Sequence, residues 1–179
     1  MPVKYSIKPL HSLYNLRYCT DIEVLDFGHY GVSDISFIEY MPNLRYLLIL
    51  DCYITDMTVV ANCTSLEFLE LAQSPVVDFW PLTNLTNLKD LNLSATPYDL
   101  EEAKVGAFGD ITPLYQMTWL DRLWMARTSL TRAQKNSLRE ALPDTIVTFD
   151  IGGCTTHGWR QSPGYFEHRD ILGMWYMIH

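Results

Sequence analysis

No stretch of the chain approaches the roughly 18 consecutive apolar residues that a membrane-spanning helix needs. Its first residues, Met1 to Ser6 (MPVKYS), lack the basic and then apolar pattern of a signal peptide. The sequence therefore predicts no membrane span and, as it stands, no address. Basic residues are scarce too: 13 Lys and Arg stand against 21 Asp and Glu, a formal net charge of −8. With no basic cluster to offset it, that charge repels phosphate backbones, and nucleic acid is not expected as a partner. No glycine-rich phosphate loop follows a strand-like segment, no Gly-x-Ser-x-Gly elbow occurs, and no paired histidines share a helix face. Catalytic residues and a cofactor are accordingly not expected, and the sequence does not read as an enzyme.

What the chain does have is a repeat. Ile22, Leu44, Leu66 and Leu88 follow one another at steps of 22. Three residues after each stand Leu25, Leu47, Leu69 and Leu91, then Phe27, Ile49, Leu71 and Leu93, then Val32, Ile54, Val76 and Tyr98. Leu120, Leu123, Met125 and Leu130 continue the frame after a step of 32, so one unit carries ten extra residues (32 − 22). Ile146, Phe149 and Ile151 are expected as a last strand. In the second half of each unit, Asp34, Asp56, Asp78 and Asp110 open segments whose threefold apolar spacing predicts a short helical turn. Val3 and Tyr5 fall on the same frame, which gives about seven strands in all. A strand that buries Leu69 and Leu71 on one side cannot cover its own core, so the units must stack. The predicted fold is an α/β leucine-rich repeat solenoid: a curved parallel sheet with short helical or 3-10 turns on its convex side.

Residues 78–94 (DFWPLTNLTNLKDLNLS) and 110–118 (DITPLYQMT) resemble the 22-residue repeats of bacterial internalin-like leucine-rich repeat proteins, and the resemblance extends over residues 1–151. It implies a recognition or adhesion module, displayed at a bacterial surface, that binds a protein through the concave sheet face. The chain departs from that family in its ladder column, where Tyr30, Cys52, Ser74, Thr96, Thr128 and Cys154 replace Asn, and in the lack of a helical N-terminal cap.

The cysteines and histidines invite other readings. Cys19 and Cys63 are two repeats apart, roughly 10 Å by strand stacking, beyond the ~7 Å reach of a disulfide. All four cysteines are expected as buried thiols. His157, Glu167 and His168, with Cys154, are metal-ligand types, but their spacing matches no zinc pattern, and no metal is expected.

Outward strand positions form two columns: Val24, Tyr46, Phe68, Asp90, Arg122 and Thr148, and beside it Asp26, Leu48, Glu70, Asn92, Trp124 and Asp150. Tyr46, Leu48, Leu50, Phe68, Glu70, Arg122 and Trp124 are the candidate partner-binding residues, expected as an exposed apolar patch with a charged rim where a solvated sheet would be polar. The alternative is that the insertion or the tail folds over this patch. The function expected is non-catalytic recognition of a protein of unidentified kind, secreted or at the cell surface. An intracellular, cytoplasmic regulatory subunit that docks an enzyme and an inert spacer repeat are the alternatives.

Residues 1–153 are expected as the solenoid, with an insertion over 97–109 and a helix over 132–142 delimited by a Thr131–Gln134 capping box and Pro143. Because the chain opens in frame, either upstream repeats or end-to-end self-association through residues 1–20 is expected. Residues 154–179 are rich in aromatics. Ser162, Pro163 and Gly173 delimit a helix in this segment, and it is expected to cap the open C-terminal end of the stack.

Overall fold

The computed structural model describes residues 13–99, 104–150 and 158–174. Six strands lie side by side in one open parallel sheet, in the order β1 (Val24–Asp26), β2 (Tyr46–Leu48), β3 (Phe68–Glu70), β4 (Asp90–Asn92), β7 (Arg122–Trp124) and β8 (Ile146–Thr148). Between β4 and β7 the insertion forms a small antiparallel hairpin, β5 (Tyr98–Asp99) with β6 (Lys104–Val105). The strand expected at Val3 and Tyr5 lies outside the described residues.

The register follows the leucine frame: Leu25, Leu47, Leu69, Leu91 and Leu123 are Cα partners across successive strands. All five turn inward, and from Leu47 to Leu123 each is wholly buried. At the last strand the register differs from the expected one by two residues. Val147, not Phe149, pairs with Leu123, so Ile146 takes the outward place beside Arg122 and Thr148 that beside Trp124. A slip of two residues preserves which side chains face inward, so the alternation of apolar residues does not reveal it. The pairing is set by Thr145, whose hydroxyl donates to the Leu120 carbonyl at 2.8 Å, and by the Ile146 N–H, which donates to Asp121 at 2.9 Å.

Across the core from the sheet run the 3-10 turns Ser36–Tyr40, Thr58–Asn62 and Trp80–Asn84, and then α1 (Thr112–Gln116). Asp34, Asp56, Asp78 and Asp110 open them: each carboxylate accepts the backbone N–H two residues on at 2.8–2.9 Å. A short polar side chain thus satisfies a donor that the turn leaves without a partner. After each strand the chain passes through the left-handed region at His29, Asp51, Gln73, Ala95 and Arg127, with φ between 54° and 65°. That conformation costs a non-glycine residue about 1–2 kcal/mol. It is retained because it aims the N–H at the next unit: His29, Asp51, Gln73 and Ala95 donate to Leu50, Ala72, Ser94 and Ala126 at 2.7–3.0 Å.

The column that lacks Asn still works as a ladder. Cys52 Sγ, Ser74 Oγ and Thr96 Oγ1 donate to the carbonyls of Phe27, Ile49 and Leu71 in the preceding unit, at 3.2, 2.9 and 2.7 Å. Cys52 and Cys63 are buried free thiols, and burial pushes the Cys63 thiol up to about 11. Cys19 corrects the expectation of buried thiols, since it is exposed, and Cys154 lies outside the described residues.

Helix α2 (Arg132–Ala141) begins at Thr131 with a complete capping box to Gln134 and buries Leu138. From the insertion, the Phe108 ring stacks on Phe79 at 5.2 Å between centroids. In the tail, α3 (Pro163–Ile171) is capped by Ser162, whose hydroxyl accepts the Tyr165 N–H at 3.2 Å, and a left-handed Gly173 (φ 67°) follows it.

Candidate functional site

The described part of the tail is residues 158–174. It crosses the outer face of the sheet, the face turned away from the repeat core. Tyr46, Leu48, Phe68, Trp124 and Ala126 of that face form, with Trp159, an apolar cluster separate from the repeat core, and Val24 and Tyr165 pack at its edge. Trp159 is the anchor: its ring stacks on Phe68 at 4.2 Å and meets Trp124 edge-on at 4.7 Å. Farther along the tail, the His168 ring lies 5.4 Å from Phe68, 6.1 Å from Tyr46 and 4.8 Å from Tyr165.

This corrects the expected exposed patch. Tyr46, Leu48, Phe68, Glu70 and Trp124 do point to the outer face, but each is at most 7% exposed because residues 158–174 lie over them. Leu50 is half-buried at the rim, and Arg122 keeps 21% side-chain exposure. The physical reason is the apolar area on both partners: an aromatic sheet face and an aromatic tail of the same chain cover each other. Leu172 stays 42% exposed, so the helix does not bury it beside Tyr165 and His168.

Buried charge accompanies the aromatics. Arg122 donates from Nε and Nη2 to the two oxygens of Asp90, which is almost fully buried. Burial raises the Asp90 carboxyl, against the pull of that guanidinium. Glu70 lies beside Trp159 and accepts from Asn92 Nδ2 at 3.3 Å. Burial pushes its carboxyl up to about 7; Trp159, Arg160 and Asn92 pull it down, and Asp26 raises it further. His168 is buried, which lowers its pKa. Burial is also the main cause that raises the Tyr46 hydroxyl, with Glu167 next.

A charge ladder missed in the sequence runs along the edge where the strands begin. Glu23, Arg45, Glu67, Lys89 and Asp121 occupy one column of the repeat with alternating sign. Arg45 donates to Glu67 at 2.7 Å and to Glu23 at 3.3 Å, and Lys89 to Glu67 at 2.6 Å. Arg45 also reaches the tail, donating to Glu167 at 2.8 Å and to the Tyr46 hydroxyl at 3.3 Å. These pairs are partly exposed, each worth about 0–1 kcal/mol, so the Arg45–Glu167 pair sets the tail's position more than its affinity. The signal was available, because the same step of 22 that reveals the leucines also lines up the alternating charges. Among the described residues no group of three or more His, Cys, Asp or Glu could hold a metal ion, and no helix is long and apolar enough to cross a membrane.

No family model matches the chain, and no curated protein matches it in sequence. Solved structures do. An internalin C2 from Listeria monocytogenes superimposes with a TM-score of 0.63 at 22% identity, over 79% of this chain and 57% of that one. A second Listeria internalin gives 0.53 at 25% identity over 76% and 46%, and a leucine-rich repeat protein of Leptospira interrogans gives 0.58 at 18% identity over 75% and 33%. The chain thus has the leucine-rich repeat fold and spans 57% or less of the length of each of these neighbours.

Proposed function

We propose that the chain is a non-catalytic protein-recognition module, of bacterial origin and associated with the cell surface, and that the outer face of its sheet is the recognition face. The observation that carries this reading is the composition of that face. Tyr46, Phe68 and Trp124 stand where a merely solvated sheet displays polar side chains, and large aromatics with arginine beside them are what interfaces concentrate. That solved structures of the same fold include internalins of a bacterium supports the bacterial setting.

A photo-reactive residue at Leu50, on the rim of the face, tests it against one at Val77, which is 56% exposed. In the native host, cross-linking to a single protein species from position 50, saturable and competed by unlabelled chain, is the expected result. Cross-linking from position 77 alone would reject this face. A second reading, an intracellular regulatory subunit, is favoured by the exposed free thiol of Cys19, which suits a reducing compartment. Surface biotinylation of intact cells separates the two.

A further inference from the structure

We infer that residues 158–174 are a displaceable strap, a built-in ligand that competes with the partner for the outer sheet face. The partner segment this face fits is a short helix carrying an aromatic anchor in the place of Trp159 and a carboxylate for Arg45. This inference deepens the recognition reading above and rests on it.

The strap can leave without opening the core. Its contacts form a cluster of their own, whereas the leucines of the repeat form another on the opposite side of the same strands. Its seat is specific, however. Trp159 fills the space between Phe68 and Trp124, and Glu167 meets Arg45. At Gly164 the helix backbone comes so close to the sheet that an added Cβ would lie 2.6 Å from Asp90 Oδ2 and 2.7 Å from Phe68 Cδ2.

The seat is also imperfect, as a replaceable occupant's is. Cavities of about 300 and 290 Å³ flank Trp159, both reaching Glu70 and Arg160. Beneath the strap lies Glu70, a carboxylate that docking has taken out of water, whereas Asp90 nearby is paired with Arg122. Buried acids of this kind weaken an interface unless they are fully paired. A partner helix that presented a cation to Glu70 would fit the same face better than the strap does.

Gly164→Ala is the sharpest test, because alanine strengthens a helix while its methyl group collides with Phe68 and Asp90. In hydrogen exchange on the full chain, the wild-type strap amides should open in a local step that leaves Leu69 and Leu91 protected. Gly164→Ala should raise that opening at least tenfold with core exchange unchanged. A fluorescent peptide of residues 158–174 should then bind the Gly164→Ala chain at least tenfold tighter than the wild type. Strap and core amides exchanging together, or a peptide that binds both chains equally or neither, would overturn the strap. Either result leaves the cross-linking outcome from position 50 untouched, so the two readings fail separately.

Discussion

Trp159 stacks on Phe68 with ring centroids 4.2 Å apart and planes 27° from parallel, joining the tail of the chain to the third of the six strands of its sheet. The repeat explains Phe68, and the tail explains Trp159. Their contact makes the sheet face an occupied site rather than a bare one. It also changes what substitutions on that face should do.

Substitutions in the repeat core should behave as ordinary cavity-forming ones. Leu69→Ala and Leu91→Ala each remove a wholly buried side chain and are expected to cost about 2–5 kcal/mol in denaturant titration. Val77→Ala, on the exposed side of the turn, should cost less than ~0.5 kcal/mol. Equal effects at Leu91 and Val77 would contradict the register.

Glu70 should make strap docking pH-dependent. Its carboxyl rises from 4.5 to about 7 on burial, so the docked form holds its proton while the free form gives it up. The Glu70 contribution to docking is then fully present below pH 4.5, weakens as pH rises, and is lost above about 7, a loss on the order of 1–3 kcal/mol. Facing Glu70 are Asp26 and Asn92 from the sheet and Trp159 and Arg160 from the strap, and His168 shares its cavity. His168 acts in the opposite sense, since its lowered pKa costs docking as pH falls below 6.5. Glu70→Gln isolates the first effect: strap exchange should match the wild type at pH 4 and be at least tenfold slower at pH 8. Identical exchange in both proteins at pH 8 would contradict it.

Alkylation should sort the cysteines by burial. Cys19 is expected to react in the native protein, and Cys52 and Cys63, buried and with raised pKa values, only after denaturation. Mass spectrometry of the labelled peptides checks this. Rapid native labelling of Cys52 would place the ladder column outside the core.

The inward half of this architecture was legible because it repeats. Leu25, Leu47, Leu69 and Leu91 recur at one spacing, and each Asp that opens a turn recurs with them, so every unit supports the reading of the others. Which residues face outward was equally legible; whether they meet water was not. That depends on contacts made once, between Phe68 and Trp159 or Arg45 and Glu167, and a contact made once leaves no period in the sequence. The left-handed residues after the strands escaped for another reason. His29, Asp51, Gln73 and Ala95 share no side-chain preference, and backbone bonds to the next unit hold them there. The last strand was misplaced by two residues because apolar alternation is blind to an even slip.

Nuclear Overhauser contacts in the whole 179-residue chain report directly whether its own tail occupies the outer face of the sheet. Cross-peaks between the ring protons of Trp159 and Phe68, and of His168 and Tyr165 with the strand side chains, are expected alongside those that link Leu69 to Leu91 in the core. Core cross-peaks present with every Trp159–Phe68 cross-peak absent would contradict the account.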